Sequence, residues 1–167
     1  MSSLVIDTSS TRTIVALFDG AREIYSDFHE GATEHGEALP KLVARALASA
    51  KESSSTIHNV VVGMGPGPYT GLRVGIVFAQ TFAAARSIPW SGRCSLDGID
   101  VSVPGEYIVT SDARRKEIYW AKYVDGKRVS GPHVGRPSEI AEYAEPKFGF
   151  GFTTTLFPSP RHLLHAN

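Results

Sequence analysis

Val60-Val-Val-Gly-Met-Gly-Pro-Gly-Pro-Tyr-Thr-Gly-Leu-Arg73 decides how the rest of the chain is read. Its three valines are β-branched and do not alternate with polar residues, the pattern of a short buried strand. Gly63, Gly65, Gly67 and Gly71, with Pro66 and Pro68, then form a loop that no strand or helix interior would tolerate. Leu72 to Arg86 reads as a helix. A strand, a glycine loop and a helix N-terminus make an anion-binding corner when free N–H groups and the helix dipole point into it. The same residues also suit a tight turn with no ligand. Two standard nucleotide motifs fail on spacing: no lysine follows Gly71, and Pro68 stands where the dinucleotide pattern needs glycine.

The helix is apolar almost all the way round, with Val74, Ile76, Val77, Phe78, Ala79, Phe82 and Ala83. A surface helix shows one stripe, so this one is either fully buried or turns a second face to another protein. Arg73, Gln80, Thr81 and Arg86 interrupt it, and it is too short to span a bilayer.

The 167 residues suit one domain or two small lobes. Seventeen basic residues balance seventeen acidic ones, so overall charge gives no reason for autonomous binding to nucleic acid or membrane. Cys94 is the only cysteine, which excludes a disulfide framework or cysteine metal cluster. No basic n-region and apolar core precede the first strand, so no secretory leader is expected and the cytoplasm is the expected location.

Leu4 to Asp7 reads as a strand ending in a carboxylate, and Thr13 to Phe18 as a second strand closed by Asp19-Gly20. That pair suits a hairpin, making Ala21 to Phe28 the third strand. Leu39, Leu42, Val43, Ala46 and Leu47 form the stripe of an amphipathic helix, with Pro40 in its first turn or kinking it, and Ser53 to Thr56 breaks it. Pro89 to Cys94 is a short strand and Ser95 to Gly105 a connector. The pattern then restarts: Tyr107 to Asp112 and Glu117 to Val124 repeat the first two strands, and Asp125-Gly126 repeats Asp19-Gly20. Lys127 to Val134, a helix over Pro137 to Ala144, a strand over Phe148 to Phe152 and a helix over Ser159 to His165 complete it.

The expectation is an α/β protein with a duplicated actin-like (RNase H-like) fold, each lobe β-β-β-α-β-α. Residues 1–103 would form the first lobe and 104–167 an abbreviated second one. In that fold, shared by actin, Hsp70 and the sugar kinases, the first hairpin turn faces bound phosphates. Fold alone does not establish activity.

Gly63 to Arg73, Ile6-Asp7-Thr8, Glu34-His35, Asp112-Ala113-Arg114 and Glu117-Ile-Tyr-Trp120 together resemble the TsaB family, also called YeaZ. Pro68-Tyr69 stands where the family usually has serine-phenylalanine, a change that keeps an aromatic ring. Members usually continue beyond where this chain stops and carry a helix where Ser95 to Gly105 is short. The resemblance implies a non-catalytic scaffold that pairs with the catalytic homologue TsaD and the ATPase TsaE. That complex transfers a threonylcarbamoyl group from an adenylate to N6 of adenosine 37 in tRNAs reading codons that start with A. It further implies pairing through the first two helices, about residues 35–50 and 71–87, with a competing homodimer on much the same surface. The interface set is then His35, Leu39, Leu42, Val43, Arg73, Val74, Val77, Phe78, Thr81 and Phe82. No intrinsic cofactor is expected; ATP or ADP would sit at the complex interface, and tRNA would be met only through the complex.

The catalytic homologue holds a metal with a His-x3-His pair, whereas Leu39 follows His35 here, so no metal site is expected. His35 then reads as a helix-start or surface residue, and His162 and His165 as surface residues. Asp7 and Asp112 end equivalent strands and would either face a nucleotide's metal or cap the turns that follow them. A phosphate corner would use Asp7, Thr8, Gly65, Gly67, Tyr69, Thr70 and Gly71. The alternative reading is an independent ATP-binding enzyme of the actin-kinase type built on those residues; a third is a self-associating module. Arg73, Arg114 and Arg115 could meet RNA or a nucleotide phosphate, or be scattered surface charges.

Overall fold

A computed structural model of the chain describes residues 1–49 and 56–166. The serine run expected to break the first helix falls, up to residue 55, outside the described residues. β1 (Ser2–Asp7), β2 (Arg12–Asp19) and β3 (Arg22–Glu30) form an antiparallel meander, followed by α1 (His35–Ser49), β4 (Ile57–Gly63), α2 (Tyr69–Arg86) and β5 (Trp90–Arg93). The sheet order is β3-β2-β1-β4-β5, with β4 parallel to β1. After a 3-10 turn at Ser95–Gly98 come β6 (Glu106–Arg114), β7 (Glu117–Val124), β8 (Lys127–Gly135), α3 (Pro137–Ile140), β9 (Lys147–Gly149) and α4 (Pro160–His165). The second sheet runs β8-β7-β6-β9, with β9 parallel to β6. These four strands repeat the order and directions of the first four of the first sheet, with no described counterpart of β5; this is the duplicated actin-like fold.

Both faces of the first sheet are covered, so its central strands are continuously apolar rather than alternating. Leu4, Ile6, Val15, Leu17, Val60 and Val62 pack under α1 and α2. Val5, Ala16, Phe18 and Val61 face the other way and meet Leu163 and Leu164 of α4. The last helix in sequence therefore packs on the first sheet.

Several boundaries differ from the sequence reading. α2 begins three residues before Leu72, because Pro68 supplies the extended N-cap conformation and Tyr69 and Thr70 continue into the first turn. α1 begins at His35, which puts Pro40 in the helix interior; its missing N–H leaves only one carbonyl, that of Gly36, without its helical partner. α3 is one turn, not the expected span to Ala144, because Ile140 alone is buried and residues 141–144 offer no apolar stripe. β9 ends at Gly149 (φ +107) rather than Phe152.

Candidate functional site

Gly63, Gly67, Gly71 and Gly75 recur every four residues from the end of β4 into α2, and all four meet the loop that ends β1. A Cβ on Gly63 would lie 1.8 Å from Asp7 Oδ2, and one on Gly67 would lie 2.3 Å from the Ser9 carbonyl oxygen. On Gly71 it would be 2.8 Å from the Thr8 carbonyl oxygen, and on Gly75 2.4 Å from Thr8 Oγ1. The glycines thus form a socket for Asp7, Thr8 and Ser9. Hydrogen bonds tie the corner to the neighbouring segments. Gly65 N–H donates to Ser95 Oγ, and Thr8 Oγ1 donates to the Gly71 carbonyl.

Asp7 is fully buried and accepts from Ser9 N–H at 2.9 Å, Ser9 Oγ at 2.7 Å and Ser95 Oγ at 2.7 Å. Burial pushes its carboxyl above the usual carboxylate range, against the lowering effect of those hydrogen bonds. Asp112 caps its own turn in the same way, accepting from Arg114 N–H at 2.7 Å. His35, expected at a helix start or on the surface, does open α1 but is buried, 5% exposed, with Nδ1 2.8 Å from Thr13 Oγ1. Burial pushes the imidazole below its usual range, against the raising effect of Asp7.

Between the sheets lies a cleft of about 90 Å³, lined on one lip by Ser9, Ser10, Thr11, Pro66 and Pro68 and on the other by Ser111, Asp112 and Arg114. Leu156, Phe157 and Pro158, in the strand-to-helix connection before α4, also line it. Phe157 stacks on the Arg12 guanidinium at 3.7 Å, and Arg12 also pairs with Glu30. Ligand pockets usually have roughly 300–1,000 Å³, and the cleft in this form is smaller than that range. None of Asp7, Thr8, Gly65, Gly67, Tyr69, Thr70 and Gly71 lines it. Tyr69 and Thr70 are exposed at the start of α2 instead.

A second concavity is an open apolar groove between the helices, lined by Gly36, Leu39, Pro40, Arg73, Val74, Val77, Phe78 and Thr81. Its floor belongs to the fold and its rim is free: Leu39 is fully buried, whereas Val77 is 51% exposed. Leu42 and Val43, expected at a partner face, are instead packed in the chain's own core, as is Ala46, because the α1 stripe faces the sheet. His35 is likewise enclosed. The closely buried stripe of α2 is small, Gly71, Gly75, Ala79 and Ala83, which lets the helix sit tight on the sheet and lifts its larger side chains to the flanks. Phe78 and Phe82 stack at 6.0 Å there, half-buried. Sequence reading missed Ser95, Thr13 and Phe157. Ser95 is 88 positions from the Asp7 it binds, and nothing local marks it. The four-residue glycine repeat was the available signal for the socket.

No helix among the described residues is long and apolar enough to cross a membrane. The family model for TsaD, tRNA N6-adenosine threonylcarbamoyltransferase, matches residues 29–148. An uncharacterized protein of Mycobacterium leprae is 40% identical over 98% of this chain and 49% of its own length. The tRNA threonylcarbamoyladenosine biosynthesis protein TsaB of Escherichia coli is 30% identical over 74% of this chain and 55% of its own. The chain thus spans about half the length of these curated relatives. YeaZ from Pseudomonas aeruginosa superposes with a TM-score of 0.84 at 24% identity, over 99% of this chain and 90% of that one. The family match covers well over half of the chain, which therefore belongs to the family of the tRNA N6-adenosine threonylcarbamoyltransferase TsaD, among its TsaB (YeaZ) members.

Proposed function

We propose that this chain is a non-catalytic accessory subunit in tRNA threonylcarbamoyladenosine biosynthesis. It would stabilise the working arrangement of a TsaD-type transferase by docking it on the α1–α2 groove. One observation carries this reading: an open, largely apolar groove on two rigidly anchored helices, with Val77 half-exposed at its rim. A surface of that kind is stabilised by covering it. The metal-binding histidine pair of a catalytic homologue has no counterpart on α1, where His35 is held by Thr13 and Leu39 is buried. Any ATP or ADP would bind at the subunit interface rather than in this chain's narrow cleft. The ATPase TsaE would join the assembled pair, and a homodimer of this chain would use the same groove and compete. The working location is the cytoplasm, where tRNA is modified.

Val77→Asp tests the docking face. Val77 is exposed enough that fold stability should change by only about 0.5 kcal/mol. A charge trapped unpaired in an apolar interface should weaken the heterodimer by about 2 kcal/mol or more, roughly 30-fold. Calorimetric titration into the TsaD homologue reads this directly, and an unchanged affinity would place the contact elsewhere.

A further inference from the structure

The tip of the β6–β7 hairpin is unlike the other turns of the molecule. Arg114, Arg115 and Lys116 take positive φ in succession, 63°, 50° and 67°, without a glycine among them. Backbone sterics disfavour this region for every side chain but glycine, and Asn-Gly is the pair such a two-residue turn favours. The matching turn between β7 and β8 is Asp125-Gly126, a residue pair of the favoured kind. The hairpin therefore keeps three large cations where smaller residues would be more stable.

Those cations are also unspent. Arg12, Arg45, Lys122 and Arg128 pair with Glu30, Asp27, Glu145 and Asp97. Arg114, Arg115 and Lys116 are exposed and make no ion pair among the described residues. The nearest acids along the hairpin are Asp112, whose Oδ1 holds Arg114 N–H, and Glu117, which pairs across from Arg114 in the ladder. Arg114 lies on one lip of the interlobe cleft, and Pro68, the N-cap of α2, lies on the other. Next to Pro68, Tyr69 is 73% exposed with the Arg73 guanidinium 5.5 Å from its ring centroid. One end of the molecule thus offers three unpaired cations and an exposed aromatic ring already stacked with an arginine. That is the combination that holds an RNA strand: cations on phosphates, rings on bases.

We infer that the β6–β7 hairpin tip, with Tyr69 next to Pro68 on the opposite lip of the cleft, is this chain's own contact to the sugar-phosphate backbone of RNA. The inference rests on the proposed role in tRNA modification and adds that this subunit touches the tRNA itself. The net charge of zero does not oppose it, because the cations are concentrated on one turn while the acids are dispersed.

The test uses the complex of this chain with the TsaD homologue and an unmodified tRNA transcript that reads codons starting with A. Fluorescence anisotropy over a salt series gives affinity and its salt slope. In Arg115→Asn/Lys116→Gly the tip loses two charges and gains the favoured turn pair. The melting temperature should hold or rise, while tRNA affinity falls several-fold and the slope of log K against log salt drops by about 1.4–1.8. Tyr69→Leu should weaken binding with the slope unchanged. Unchanged affinity and slope in an assembled complex would overturn the inference. So would a variant that loses the TsaD homologue but not tRNA, which would make the tip a contact to an acidic protein surface. Light scattering on the same samples separates the two readings: if no complex assembles, the docking reading fails. The salt series run on the chain alone, at low salt, then decides the RNA contact with the same variants.

Discussion

At the scale of single residues, one and the same substitution has opposite expected effects inside and outside the glycine repeat. Gly67→Ala would drive a Cβ to within 2.3 Å of the Ser9 carbonyl oxygen, a backbone atom that cannot swing aside. It should lower stability by about 1–3 kcal/mol in chemical denaturation. Gly36→Ala in α1 meets nothing within 4 Å and should raise stability by about 0.4–1 kcal/mol. Equal effects would show that the socket is not what these glycines are for. The two buried ionisable groups beside the socket should also leave opposite marks on pH dependence. Burial lowers the His35 pKa, so its contribution is intact above its ordinary value of 6.5 and is lost as pH falls below it. Burial raises the Asp7 pKa, so its contribution is present below 3.8 and is lost as pH rises through the folded value. In unfolding titrations His35→Gln should flatten the loss of stability toward pH 5. Asp7→Asn, which still accepts from Ser9 and can donate to Ser95, should raise stability at pH 7. A fall in stability with Asp7→Asn would show that the ionised carboxylate is favoured there. The sequence marked Asp7, the glycines and His35 as special residues. That they hold one another was not legible, because the partners Thr13 and Ser95 lie 22 and 88 positions away.

At the scale of elements, most of the strands and three of the helices could be read because their signals are local. The β1–β2–β3 meander follows from apolar runs and the Asp-Gly turn, and the stripe of α1 faces the sheet as its spacing requires. What could not be read was which side of α2 is inside. Its apolar residues surround it, but the side pressed on the sheet is the one with the smallest residues, Gly71, Gly75, Ala79 and Ala83. Hydrophobicity alone would put Val77 and Phe78 there. Close approach selects the small residues instead, and it leaves Val77 on the rim of the groove. This is why Val77→Asp, rather than a change at Leu42 or Val43, is the informative variant. Those two are core residues whose replacement would unfold α1 before it reported on any partner. α3 shows the complementary error: helix-forming residues up to Ala144 were not enough, because only Ile140 has a core to enter.

At the scale of the whole molecule, the duplication was legible in the order of elements and returns as a four-stranded sheet that repeats the order of four strands of the five-stranded first sheet. The relation between the halves was not. α4, last in sequence, closes over the first sheet through Leu163 and Leu164, and the connection before it packs Phe157 against Arg12 and lines the interlobe cleft. The result is an actin-like frame with a narrow cleft between its sheets and an open apolar groove outside it, between α1 and α2. The central claim is that this groove receives a TsaD-type partner. Size-exclusion chromatography with light scattering, on the chain alone and mixed with the TsaD homologue of the same organism, tests it most directly. The account predicts a one-to-one complex that replaces any homodimer and is lost with Val77→Asp; a folded chain that forms no such complex, or one indifferent to Val77→Asp, would contradict it.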